Sequence, residues 1–418
     1  MRTISKNTNF MYMANTQVVY HCHHFNLFLD QTIDDALGPS DATILKVKVA
    51  RSTAYQFISN LIQASQVETS MEKLQLAIEY FGAMGHGKLS ITGNKDGGEA
   101  EGNFLHYSYT WLKKYGGRIN RLNSVDAFAA GYSAAALEVA YDLPPGSLFA
   151  EETNCKVLKH DNCKIFIKKD APNTSDYKFV TREQSEESAV TPCVSMFEES
   201  IAEIVHGLTE FTADVVGDKE RGLVETFGVF VTMQMPSYYN GISYETLRVC
   251  KDNQAILEAL GELFKESGHV CVFYTLGGVL LSPEWEAMVG KPTGNSRELL
   301  ISLTAICRAF GFGKWSIKEF VENERFVLES SSTYENCYYS KYCKDFNIAS
   351  DYLVQGAALA FMVLIHKLDW DEPIDLTPEL YDSLFKGDGL GWKVKQTKSL
   401  GLGDGITQVV ATRIKQVN

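Results

Sequence analysis

At 418 residues the chain is too long for one ordinary core, and its 45% hydrophobic and 22% charged residues are typical of folded protein, so two or three domains are expected. A net charge of −13, with no block of Lys and Arg to offset it, excludes nucleic acid and an anionic membrane surface as the main partner. The longest apolar run, Leu353 to Ile365, is too short for a membrane span and carries Gln355.

The opening "MRTISKNTNFMYMANTQ" is polar and has no secretory apolar stretch, which points to a cytoplasmic protein whose nine cysteines are free thiols or metal ligands. "TQVVY" (Thr16 to Tyr20) reads as a strand and runs into "YHCHHFN", which places three of the nine histidines and a cysteine in five positions. If the strand continues, His21 and His23 share one face and Cys22 and His24 the other. A His-x-His pair of this kind presents two imidazoles to one metal, with His24, His86 or His106 as a third ligand. Iron fits an octahedral site with open positions, and copper or zinc a tetrahedral one. The same side chains also suit contact with a substrate or cofactor, or simple hydrogen bonds to neighbours, and the three readings stay open. Asn26 is expected to cap the helix that follows.

Helical periodicity covers Thr53 to Ser65 and Ser70 to Ala83, and "GKLSIT" is a strand entered through glycine. "MGHGKLS" lacks the spacing of a phosphate-binding loop. "FLHYSYTW" (Phe104 to Trp111) gathers His106, Tyr107, Tyr109 and Trp111, an aromatic density suited to an apolar pocket for a planar ligand or to a core edge. The Ala-rich segment after Asp126 reads as a buried helix. In the hairpin "EETNCKVLKHDNCKIFI", Glu152, Cys155 and Cys163 stand at Glu-x2-Cys-x7-Cys. Two thiolates and a carboxylate suit zinc, and a tetrahedral site needs one more ligand.

The chain then repeats. "SMEKLQLAIEYFGAMGHGKLSI" (Ser70 to Ile91) matches "SRELLISLTAICRAFGFGKWSI" (Ser296 to Ile317), and Asp126 and Gly131 answer Asp351 and Gly356. "FNLFLDQTI" (Phe25 to Ile33) answers "YNGISYETL" (Tyr239 to Leu247). A repeat of this length means two copies of one domain rather than a solenoid. The first copy spans residues 1–170, a linker with an amphipathic helix spans 171–221, and a second, degenerate copy spans 222–418. Its hairpin carries Gln396 and Ser399 where Glu152 and Cys155 stand, so no zinc is expected there, and Cys337 and Cys343 read as ordinary cysteines. Each copy is expected to lay helices on an antiparallel sheet, giving an α+β fold in which two tandem domains form a pseudo-dimer.

The Glu-x2-Cys-x7-Cys hairpin, downstream of the helix at Gly131, resembles the 4-vinyl-reductase domain family of hydrocarbon-binding and phenol-sensing proteins. The resemblance covers most of both halves, about 150 residues each, and its motif is sharp from Asp126 to Phe166. It implies a bound small molecule and a structural zinc held by Glu152, Cys155 and Cys163 with a Cys from the preceding helix. No Cys lies between Cys22 and Cys155, so that fourth ligand is missing; Asp126, His160 and Asp161 are the substitutes at hand.

Two functions follow. The first is binding of an apolar or aromatic small molecule in a pocket of the first domain, with His21, His23, His24, His86, His106, Tyr107, Tyr109 and Trp111 as the candidate lining. The second is a metal-dependent enzyme, with iron or copper at His21 and His23 beside zinc at the Cys155/Cys163 hairpin. Either suits a monomer built as a pseudo-dimer, or a homodimer.

Overall fold

The computed structural model describes residues 2–116, 121–172, 178–187, 191–346, 351–386 and 391–414. The first half runs β1 (Arg2–Ile4), β2 (Met11–Met13), β3 (Thr16–Cys22), α1 (His23–Leu37), α2 (Pro39–Ser65) and α3 (Ser70–Ala83). It continues β4 (Ser90–Asn94), β5 (Gly97–Gly102), α4 (His106–Tyr115), α5 (Ala127–Ala140), β6 (Leu148–Asn154) and β7 (Cys163–Lys169). Between the halves lie α6 (Arg182–Glu187) and α7 (Glu198–Thr212); residues 173–177 and 188–190 of the expected linker fall outside the described residues.

The second half opens with β8 (Val224–Thr226), β9 (Val229–Gln234), α8 (Pro236–Val249) and α9 (Gln254–Val270). A π-helical segment, Cys271–Leu276, leads to α10 (Gly277–Leu280), α11 (Pro283–Met288) and α12 (Ser296–Ala309). β10 (Gly313–Val321), β11 (Arg325–Thr333), α13 (Tyr334–Tyr342), α14 (Tyr352–Lys367), α15 (Pro378–Phe385), β12 (Trp392–Lys398) and β13 (Thr407–Arg413) complete it. The fold is α+β, with helices laid on three antiparallel sheets. No helix among the described residues is long and apolar enough to cross a membrane.

Two of the sheets share one strand order, β4-β5-β7-β6 and β10-β11-β13-β12. Each is covered by a helix buried from end to end or nearly so, α5 over the first and α14 over the second. Small residues allow that burial. A Cβ on Gly131 would fall inside contact distance of the Val47 carbonyl and Ala50 on α2, and one on Gly356 would meet the Lys265 carbonyl on α9. The third sheet joins the halves. Its order, β1-β2-β3-β9-β8, pairs β3 with β9.

Under the 214-residue offset that relates Phe25 to Tyr239, this pairing is its own mirror. Val19 faces Gln234, the counterpart of Tyr20, while Tyr20 faces Met233, the counterpart of Val19. β3 and β9 are buried along their whole length, so the seam is core rather than surface.

The close crossing of α2 and α5 gives a direct test. Gly131→Val should cost more than about 3 kcal/mol in urea unfolding, because a branched side chain there must push two backbones apart. A cost below about 1 kcal/mol would mean that the helices tolerate separation.

Candidate functional site

A bulge between Glu152 and Asn154 and a single 3-10 turn, Lys156–Leu158, fold the tip of the β6–β7 hairpin back on itself. Cys155 and Cys163 are thereby fully buried. Asp126, the residue before α5, reaches the same point and is 1% exposed. Ligand atoms of Asp126, Glu152, Cys155 and Cys163 all lie within 4.8 Å of one another, and no other such group of three or more is found among the described residues.

Backbone and neighbours hold the four in place. The Ser108 N–H donates to Asp126 Oδ1 at 3.1 Å, and the Asp126 N–H donates to Glu152 Oε2 at 2.9 Å. The Lys156 N–H points at Cys163 Sγ at 3.4 Å. The other oxygen of each acid, Asp126 Oδ2 and Glu152 Oε1, is buried with no hydrogen-bond partner. Burial raises both carboxyl pKa values, and for Glu152 the Asp126 charge adds to it. The Cys155 thiol is raised by its hydrogen bond with Cys163 and by burial. For Cys163 that hydrogen bond acts downward, but burial and the two acids outweigh it. A divalent cation would reverse this balance by favouring all four anions at once.

Two sulfurs and two oxygens form a donor set that suits zinc. Of the other substitutes weighed from sequence, His160 is engaged in the turn, where its Nδ1 accepts from the Cys155 N–H at 2.9 Å, and Asp161 is exposed.

The second half builds the same hairpin, bulge and 3-10 turn (Leu400–Leu402) at an offset of 244 residues, placing Gln396, Ser399 and Thr407 where Glu152, Cys155 and Cys163 stand. Asp351 takes the place of Asp126. It accepts from Thr333 Oγ1, from Thr407 Oγ1 at 2.7 Å and from Gln396 Nε2 at 3.2 Å. Neutral donors surround one acid there.

The histidine stretch is arranged differently from the sequence reading. The strand ends at Cys22 and α1 starts at His23, so His21 and His23 do not share a strand face. His21 is fully buried, stacked 3.8 Å from Phe25 and 4.7 Å from Phe312. Its Nε2 meets Tyr334 Oη at 3.0 Å and its Nδ1 faces Cys271 Sγ at 3.4 Å, both in the second half. His23 Nδ1 accepts from the Phe230 N–H at 3.3 Å. His24 stacks on Tyr274 at 3.8 Å.

His86 and His106 stand deeper in the first half. His86 Nε2–H donates to the Met233 carbonyl at 3.1 Å, and its Nδ1 is buried without a partner. Its ring centre is 4.5 Å from Phe128. His106 Nε2 accepts from the Asn26 amide at 3.0 Å. Asn26 is therefore no helix cap. It sits inside α1 and also receives the Tyr239 hydroxyl at 2.6 Å, while Asn240, inside α8, donates to the Tyr334 carbonyl. Residues 104–111, read only as an aromatic segment, contain the first turns of α4. Tyr107 and Trp111 point inward, and Tyr109 lies at 5.5 Å from Phe230. A cavity of about 20 Å³, room for one water, lies at the seam between Phe25, Leu29, Tyr239, Tyr244 and Tyr334.

Sequence reading missed one buried network. Lys46 Nζ donates to Asp30 at 2.6 Å and Asp34 at 2.8 Å, and Arg121 pairs with the same two acids. The four to five residue spacing of Asp30, Asp34 and Asp35 on α1 was the available signal. With two cations on two anions, the network closes on itself.

No family model matches the chain, and no curated protein matches it. Among solved structures it is similar to the phenol-responsive sensory domain of the transcription activator PoxR, crystallised with phenol, at 14% identity and a TM-score of 0.33. That similarity covers 38% of this chain and 80% of the sensory domain. At that level it carries no ligand across.

Burial leaves His21 well below the usual imidazole range and lowers His23 and His86 to about 3. These folded values lie below the unfolded value of about 6.5, so on acidification the unfolded chain binds protons first. The stability they confer is complete above about pH 6.5 and is lost as pH falls toward 3. Between pH 6 and 4, His86→Phe should flatten the dependence of unfolding free energy on pH by about 1.4 kcal/mol per unit, one proton's worth. An unchanged slope would show that His86 is protonated or exposed in the folded chain.

Proposed function

We propose that the chain is a small-molecule-binding protein made of two 4-vinyl-reductase-like copies joined as a pseudo-dimer. In this reading the first copy holds a structural zinc and the ligand, and the second copy is its scaffold. One observation carries the proposal. Two buried thiols, the buried Asp126 and the half-buried Glu152 converge on the Glu-x2-Cys-x7-Cys hairpin, with the buried oxygens Asp126 Oδ2 and Glu152 Oε1 left unpartnered. Unpaired buried acids are costly, and a zinc ion relieves both while locking the hairpin onto α5. Asp126 takes the role that the resemblance assigns to a helix cysteine.

The ligand we place beside this site, between α1, α4 and α5, where His86 and His106 stand among Phe128, Tyr107 and Tyr238. Aromatic walls suit a planar apolar body, and the unpartnered His86 Nδ1 is an acceptor for a hydroxyl on it. The rings close on one another in the described structure, so entry requires them to part. Phenol and its alkyl derivatives are the first ligands to try.

Protein purified without added metal should carry about one zinc per chain. Cys155→Ser should release it and lower the unfolding midpoint by about 5 °C or more, whereas Ser399→Ala should leave metal content unchanged. Zinc-free wild-type protein of full stability would remove the metal from this reading. Simple phenols should raise the unfolding midpoint of the wild type, and His86→Phe should abolish that shift while retaining zinc. If no phenol or apolar aromatic shifts the midpoint, the ligand class is wrong.

A further inference from the structure

A groove of about 460 Å³ lies between α7 and the N-terminal turn Ser5–Asn9, away from the hairpin and from His86. That volume lies within the range of small-ligand pockets. At one end of α7, Arg2 of β1 donates to Thr212 Oγ1 at 3.2 Å. At the other, Arg308 clasps both oxygens of Glu198, at 2.7 and 3.0 Å. The α7 residues lining the groove run from Glu198 to Glu210, about 18 Å along the helix axis. Charge is sorted along that length. Arg308 also donates to the carbonyl of Trp315, the residue after Lys314, so Lys314 stands at the Glu198 end. The Lys314 N–H donates to Ser332 Oγ at 3.1 Å, and that hydroxyl donates to the Thr8 carbonyl at 2.9 Å, which sets the turn carrying Lys6 beside Lys314. Both lysines line the groove, and among the described residues neither amine has an ion-pair or hydrogen-bond partner. Glu210, at the opposite end, stands 3.4 Å from His206. Between the ends the wall is apolar, with Ala202 exposed and Ile4 and Val205 half-buried. Glu186 touches the turn through Ser5 Oγ at 2.8 Å but does not line the groove.

We propose that this groove binds a medium-chain alkyl carboxylate, its head group between Lys6 and Lys314 and its chain laid along Ile4, Ala202 and Val205. Charge complementarity selects the head group. The Arg308 charge is spent on Glu198, which leaves the two lysine amines as the free cations of the groove. A carboxylate gains charge-assisted hydrogen bonds from them without leaving water entirely. The alkyl chain gains by covering the apolar strip that α7 and β1 leave open. Glu210 disfavours the reversed direction of binding, because it would face the carboxylate. The protein as a whole, at a net charge of −13, repels anions, so a local pair of unpaired lysines is what such a ligand needs.

The inference is independent of the zinc and of the pocket at His86. Its test is calorimetric titration of the full-length chain at pH 7 with octanoate, 1-octanol and octylamine. Octanoate should bind once per chain with a Kd below about 1 mM, a modest demand on ten non-hydrogen atoms. The neutral and cationic chains should bind at least about ten-fold more weakly. Lys6→Gln and Lys314→Gln should each weaken octanoate by about three-fold or more and leave 1-octanol unchanged. Ala202→Trp, which fills the groove from an exposed position, should abolish octanoate binding at an unchanged unfolding midpoint. His86→Phe should leave it intact. Equal affinity for octanoate and 1-octanol, or octanoate binding that survives Ala202→Trp, would overturn the proposal. Loss of octanoate binding in His86→Phe would place the carboxylate in the other pocket and overturn it too, with the reading of that pocket untouched. A wild-type dimer in sedimentation velocity that Ala202→Trp turns into a monomer would assign the groove to a second copy of the chain instead.

Discussion

Four acidic side chains converging at one hairpin tip set the constraint on which the first half depends. Asp126 comes from the foot of α5, Glu152 from β6, and Cys155 and Cys163 from the two sides of one hairpin tip. If all four are protonated, two carboxyl oxygens remain without partners; if they are ionised, like charges crowd together in the interior. Either state is expensive without a cation. The second half shows the alternative solution to the same geometry, with Gln396, Ser399 and Thr407 supplying neutral donors around a single acid, Asp351. The backbone is shared, and the difference lies in three side chains.

The rest of the architecture places that difference. The β3–β9 pairing fuses the halves through buried strands, so each half completes the core of the other. Because β3 ends at Cys22, the histidines that follow are divided between environments instead of gathered. His21 is bound by Tyr334 and Cys271 across the seam, His23 by the Phe230 backbone, and His24 by the face of Tyr274. The π-helical segment opposite supplies both Cys271 and Tyr274 to this one junction.

Much of this was legible in the chain, for physical reasons that can be named. The convergence of Glu152, Cys155 and Cys163 was, because they sit within twelve residues of one another and their spacing is fixed by a local bulge and turn. The α+β class was, because periodicity is a local property of sequence. The paired Gly131 and Gly356 were legible as marks of the repeat, but that each lies against another helix depends on tertiary packing. The role of Asp126 was weighed only as one of three substitutes, since its approach to Glu152 depends on how α5 packs. The histidine stretch misled because a strand-to-helix junction one residue earlier reverses which side chains share a face. The network of Asp30, Asp34, Lys46 and Arg121 was missed since its partners come from separate elements, and burial, not charge, makes it notable.

The central claim is that two sulfurs and two oxygens of the first half hold one zinc ion. X-ray absorption at the zinc edge, measured on the full-length chain as purified, tests it most directly. The account predicts a four-coordinate first shell with two sulfur neighbours at about 2.3 Å and two oxygen neighbours at about 2.0 Å. A shell of nitrogen ligands with no sulfur would place the metal at histidines instead and contradict the account.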